Sequence, residues 1–491
     1  MTKLEVPFGK NLAYSIGIIA DQIAYQGFTF LIFTFYYAVV QVPVQYITVV
    51  FVIWSIYNAF NDPLLGSLSD RTRTKKLFGG RRRPWMIVAA IPLALIMFFL
   101  FTPPNNYESG SGAWIVVYFL FIICLFDTIY TAYSVSRTSL YPEIFRTNKA
   151  REEVGAVQRI IMVIALLAAF ILPTLFIEDM TPADPQSQFA EISWQFQLTG
   201  IIFGAVILVT ILINVIWGAK EPPYEQLEKK ERMPLFKSIK ESLSNKKFVI
   251  FALCSTMNWF VFGLIPTIMP IYVNGVVASN DPILLAFENL GIPAGLLVSI
   301  PLALAFITSI FGVLFWMFID RKLGSKLGFI ISMSWWALVL IPLIFIESYL
   351  GILIVMALNG IGLGGSPYFI DRNISNIADD DEVKTGQRRE GSYYGVHALF
   401  VRLSTILSMV SIAIVLGASG WQIYDPAAIP NPPVFGLKSL MSLFPAGALI
   451  IGIIILIFFP LGKKEVDKLQ ASLKVSTDET IETEAEISDE K

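Results

Sequence analysis

IYNAFNDPLLGSLSDRTRTKKLFGGRRRPW, Ile56 to Trp85, starts as an apolar helix and ends as a dense basic loop. Asn58 and Asp62 are one helical turn apart and therefore share a face. Pro63 has no N–H, so it leaves a carbonyl of the preceding turn without its helical donor, close to the acid. Asp70, Arg71, Arg73, Lys75, Lys76 and Arg81 to Arg83 follow, and such charges do not sit in hydrocarbon. A carboxylate thus stands about two turns from a loop that fixes sidedness in a bilayer.

Working outward, the composition agrees. The chain has 491 residues, of which 55% are hydrophobic and 15% charged; its mean hydropathy is +0.65. Soluble domains carry about 25% charged residues, so a polytopic membrane protein fits and a string of soluble domains does not. Apolar runs long enough to span a bilayer fall at 12–38, 46–68, 84–101, 113–136, 154–177, 196–217, 248–274, 293–319, 327–346, 350–370, 393–417 and 436–460. The loops at 39–45, 102–112, 178–195, 275–292 and 347–349 lack Lys and Arg, whereas the alternate loops hold nearly all of them. By the positive-inside bias, both termini are expected in the cytoplasm of a cell-membrane protein.

The charged link from Gly218 to Lys247, with Glu221-Pro222-Pro223 near its start, divides the runs six and six. The expected organisation is an all-α membrane protein: a six-helix bundle at 1–217, a cytoplasmic linker at 218–247, a second bundle at 248–462 and a disordered tail at 463–491. Ser69-Asp70-Arg71 is echoed by Ile319-Asp320-Arg321, which supports two related halves. Cys124 and Cys254 lie in apolar runs and read as small core residues. The letters Gly360-x-Gly362-x-x-Gly365 match a dinucleotide fingerprint, but in a membrane span they read as helix packing. Neither a phosphate-binding GxxxxGK[ST] nor an HExxH occurs, so a nucleotide-driven pump and a zinc protease are unsupported. No nucleophile with a base at usable spacing points to an enzyme, and no cofactor or nucleic-acid partner is expected.

Ionised groups at mid-bilayer cost about 2.5 to 3.5 kcal/mol each on insertion scales, so those present mark function. Five fall toward mid-depth within apolar runs: Asp21, Asp62, Asp127, Arg159 and Arg402. One base can pair with one acid, which leaves other acids for a cation. Asp62 and Asp127, with the Asn58 carbonyl, are the expected cation ligands, for Na+ or H+. Asp21, Asp127, Arg159, Arg402, Tyr25, Tyr130 and His397 are the expected solute contacts.

The run N-A-F-N-D-P-L-L-G-S-L-S-D-R-T-R followed by R-R-P-W resembles the signature of the glycoside–pentoside–hexuronide:cation symporters of the major facilitator superfamily. The run I-A-D-D-D-E-V-K-T-G-Q-R-R-E-G-S-Y-Y-G resembles the same family's loop before the eleventh helix. The resemblance covers about Lys10 to Pro460 and implies alternating access between two six-helix halves. It implies that Asp62 is a cation ligand, that Asp127 serves cation and sugar, and that Asp21 and Arg159 hold sugar. Arg402 falls where the melibiose carrier of that family has a lysine. Asn58 stands where that carrier has a second acid, and Thr131 and Pro367 stand where it has tryptophans. The expected function is cation-driven uptake of a glycoside or related sugar by a monomer. The alternatives are an amphiphile such as a lysophospholipid as cargo, or a non-transporting membrane sensor.

Overall fold

The computed structural model describes residues 6–72, 80, 82–107, 112–145, 147–220, 235–277, 280–385, 389–425 and 433–472. Among these residues the chain is helical, with no β-strand. The first half comprises α1 (Phe8–Thr34), α2 (Val44–Arg71), α3 (Arg83–Phe99), α4 (Gly112–Ile144), α5 (Asn148–Thr174) and α6 (Phe189–Ile213). A short α7 (Leu235–Ser244) follows in the linker. The second half comprises α8 (Lys246–Val276), α9 (Pro282–Asn289), α10 (Ala294–Leu323), α11 (Ser325–Leu340), α12 (Tyr349–Thr385), α13 (Glu390–Ala418), α14 (Pro433–Met441) and α15 (Leu443–Ile457). Among the described residues, eleven helical spans are long and apolar enough to cross a membrane. The remaining run, 84–101, forms α3, whose 17 residues extend about 25 Å.

The helices depart from the hydropathy runs where polar groups find partners. Run 350–370 becomes α12, which continues to Thr385 through the acids at its end. Those acids are neutralised in place. Asp380 binds Lys247 at 2.8 Å and Lys384 at 2.6 Å, and Asp381 binds Arg389 at 2.7 Å. The Asp381 carboxylate in turn holds the Arg389 guanidinium above the ordinary arginine pKa. Helix α4 runs eight residues past its expected end at 136 and so takes Arg137 into the bundle. The last run is split into α14 and α15 at Ser442. The tail corrects one expectation. Residues 463–472 are helical, with Val466 and Leu469 buried, and Lys463 Nζ donates to the Lys322 carbonyl at 2.8 Å. These apolar positions and that capping bond order a segment whose composition alone read as disordered. The basic loop at 73–79 and 81, linker residues 221–234 and tail residues 473–491 lie outside the described residues.

Small residues set the closest helix crossings, since lipid supplies no hydrophobic drive between helices. A Cβ on Gly204 would lie 2.3 Å from the Ala94 carbonyl oxygen, so α6 meets α3 backbone to backbone there. On α12, a Cβ on Gly360 would lie 2.1 Å from the Ala305 oxygen of α10, and one on Gly362 2.6 Å from Trp336 Cβ. The fingerprint-like glycines therefore serve helix packing.

Among the described residues, hydrogen bonds between the halves lie at mid-depth or toward the face that lacks Lys and Arg. Tyr37 OH donates to the Trp421 carbonyl at 2.7 Å, Val44 N–H to Gln422 at 2.8 Å, and Tyr424 OH to Thr181 at 3.1 Å. Thr174 and Ser299 hydroxyls meet at 3.0 Å, and Phe170 stacks on Phe306. The structure is thus sealed on the basic-poor face. On the basic side, Arg159 of α5 and Asp371 of α12 remain exposed.

Gly360→Val is expected to cost about 1–3 kcal/mol through overpacking against α10. Gly263→Ala, with open space around it, is expected to leave stability unchanged. Thermal denaturation of the two purified variants checks the contrast.

Candidate functional site

The site is built on α2 and α4, which pair through polar side chains at mid-depth. Asp127 on α4 is 1% exposed. A carboxylate buried to that degree needs donors to replace water. Asn61 Nδ2 donates to its Oδ2 at 2.9 Å, and Asn58 Nδ2 donates to its Oδ1. One turn on, the helices exchange roles. Thr131 of α4 donates its hydroxyl to Asp62 Oδ1 on α2 at 2.8 Å. Asn58, Asn61, Asp62, Asp127 and Thr131 therefore form one two-helix patch, because spacings of three and four residues stack on a single helix face.

Arg402 enters from the other half, on α13. Its Nη2 reaches Asp62 Oδ2 at 3.4 Å, and its Nη1 donates to Tyr25 OH at 3.0 Å. The guanidinium lies over the Trp54 ring, 5.9 Å from the centroid. Tyr25 of α1 stacks on Tyr130 of α4 with ring centroids 5.5 Å apart. Tyr130 OH donates to Asp21 Oδ1 at 3.1 Å. The Asp62 side chain is 32% exposed, the most open of these acids, whereas the Asp21 side chain is 13% exposed. The three acids of the first half thus converge on one layer with Arg402.

Two expected solute contacts lie apart from this layer. His397 is buried against Ser255, with Oγ 2.6 Å from Nε2, inside the second half. The Arg159 side chain is exposed, and its acidic neighbour is Asp371 on α12, not one of the three layer acids. The expected pairing of a first-half acid with a base is met instead by Arg137, whose Nη2 is 3.6 Å from Asp21 Oδ2. Reading the sequence missed Arg137, Asn61 and Thr131. Arg137 fell one residue beyond the expected end of its run. Asn61 shares its turn with Asn58, and that spacing was the signal that would have found it.

The family described as MFS/sugar transport protein matches residues 13–463. An uncharacterised symporter of Synechocystis sp. is 23% identical over 92% of this chain and 94% of its own length. Sodium-dependent lysophosphatidylcholine symporter 1-B of Danio rerio is 20% identical over 94% of this chain and 89% of its own. The crystal structure of the nucleoside transporter NupG superposes with a TM-score of 0.65 at 13% identity, over 92% of this chain and 99% of that one. That likeness establishes the same fold of two six-helix halves.

Asn61→Leu removes a donor from a buried carboxylate and is expected to cost about 1.5–3 kcal/mol. Tyr57→Phe, which removes only an exposed hydroxyl contact to Thr128, is expected to cost far less. Thermal melts of the two variants in the same detergent decide between them.

Proposed function

Because the chain belongs to the MFS/sugar transport protein family, we propose that it is a secondary symporter coupling Na+ or H+ to uptake of a glycoside or related polar solute. One observation carries the reading: Asp62 lies between a first-half hydroxyl and the second-half Arg402, at the junction of the halves.

Asp62 and Asp127 are the cation ligands in this reading, with Asn58, Asn61 and Thr131 as the neutral groups around them. A Na+ ion is bound by such oxygens, and a proton needs only one of the carboxylates. Either cation removes negative charge from Asp62 and weakens its hold on Arg402. Arg402 then turns its donors to a solute. Among the described residues its Nε and the Trp54 indole N–H have no protein partner, which leaves both free for hydroxyl acceptors. Asp21, Tyr25 and Tyr130 supply acceptors and an aromatic wall from the first half, whereas Asp127, expected also as a solute contact, has both oxygens held by Asn58 and Asn61 and is left to the cation. Carboxylate and guanidinium groups each grip paired hydroxyls. Coupling follows only because cation and solute favour different states of the Asp62–Arg402 contact.

The positive-inside bias puts the basic face and both termini in the cytoplasm of a cell membrane. The sealed face is then external, and the state described faces inward. An amphiphilic cargo is the second reading, favoured by the near full-length similarity to the lysophosphatidylcholine symporter. The polar lining of the layer supports the sugar reading over it.

The test is uptake into proteoliposomes under imposed Na+ and pH gradients, with a panel of radiolabelled glycosides and lysophospholipids. Asp62→Asn is expected to abolish gradient-driven accumulation while solute exchange survives. Wild-type accumulation by that variant sinks the mechanism, and accumulation of a lysophospholipid in place of any glycoside replaces the cargo.

A further inference from the structure

Among the described residues, Arg82 and Arg137 are buried cations of the first half that the mechanism above does not use, and Arg137 is the one whose partner, Asp21, belongs to the layer. Arg137 is 7% exposed and lies about three turns beyond Asp127 along α4. Removing one partner of a buried ion pair leaves an uncompensated charge, so such residues are kept for a reason.

Holding the helices together is already served by other groups. Tyr14 OH donates to the Arg137 carbonyl at 2.9 Å, and Tyr133 OH donates to the Gly17 carbonyl at 2.8 Å. These two bonds fasten α1 to α4 beside the ion pair without using the guanidinium. The side chain of Arg137 does something else. Its Nη2 takes Asp21 Oδ2 at 3.6 Å and leaves Oδ1 to accept from Tyr130 at 3.1 Å. Tyr130 stacks on Tyr25, with rings inclined by 30°. Tyr25 OH accepts from Arg402, which also reaches Asp62. The contacts form an unbroken path from Arg137, through Asp21, Tyr130, Tyr25 and Arg402, to Asp62.

We propose that Arg137 is a positioning residue for this site: by occupying one oxygen of Asp21 it aims the other at Tyr130, and so sets the Tyr25 hydroxyl that divides Arg402 between itself and Asp62. The inference rests on the symport reading, because its consequence is felt at the cation-binding acid. Without the guanidinium, Asp21 turns toward the cavity, Tyr130 loses its fixed acceptor and Arg402 closes more fully on Asp62. A cation then competes against a stronger partner. Neither Arg137 nor Tyr130 touches the cation in this scheme, so both act through others.

The test uses the full-length purified protein and the cations themselves as probes. Tryptophan fluorescence is recorded while Na+ replaces choline at constant ionic strength, and separately while pH is lowered. The Trp54 ring against Arg402 supplies the signal. Arg137→Gln is expected to weaken the cation response by at least about fivefold. Arg137→Lys restores most of it. Tyr130→Phe, which keeps the stacking and removes only the hydroxyl, weakens it to a similar degree. The double variant is no weaker than either single one, since both interrupt one path. An Arg137→Gln protein whose midpoint stays within about twofold of wild type overturns the proposal, even if it melts at a lower temperature, because that outcome assigns Arg137 to stability alone. If Arg137→Gln does not fold, Tyr130→Phe decides, and an unchanged midpoint there overturns the relay. A wild-type protein that responds to neither cation defeats the symport reading and this inference with it, whereas a responding wild type with unchanged variants defeats only the inference.

Discussion

The arrangement depends on what it takes to keep a carboxylate inside hydrocarbon. Asp127 is sealed from solvent and is held by two asparagine amides, with Arg402 and Asp62 as its charged neighbours. Asp62, one turn away, is half-open and is divided between Thr131 and Arg402. The two acids thus have different environments from the same pair of helices. The closed one anchors the patch, and in the proposed mechanism the open one exchanges a guanidinium for a cation. Since Arg402 belongs to the other half, any change at Asp62 is also a change in how the halves are tied.

The same economy governs the rest of the molecule. Charges that cannot reach water are paired locally, as Asp380 and Asp381 are with Lys247, Lys384 and Arg389 at the basic face. Glycines bring α6 onto α3 and α12 onto α10 at backbone distance and so give stiff sub-bundles. Between the halves the bonds gather toward the basic-poor face, with the Arg402 contacts nearest the centre. Stiff halves joined at one face and at one central arginine can rock with few bonds to break, which suits alternating access.

Much of this was legible in the sequence because charge in an apolar run is rare and costly. Asp21, Asp62, Asp127 and Arg402 stand out for that reason, and the structure brings all four together. Asn58 was found through its spacing from Asp62. Neutral helpers are harder to find, since Asn61 and Thr131 resemble any polar residue that faces another helix. Helix ends are hidden too. Arg137 was overlooked because hydropathy falls before α4 stops, and the helix continues where a buried acid accepts the arginine. Arg159 was marked by type, depth and the family resemblance, and His397 by type and depth alone. Type and depth do not give the azimuth around the helix, which sends one toward Asp371 and the other to Ser255.

The central claim is that Asp62 and Asp127 form one cation site that Arg402 guards. Direct binding of radiolabelled sodium, together with proton uptake on acidification, can be measured on the purified protein without any solute. Saturable cation binding is predicted for the wild type, and its loss for both Asp62→Asn and Asp127→Asn. Undiminished binding of the same cation by both variants would place the site elsewhere and contradict the account.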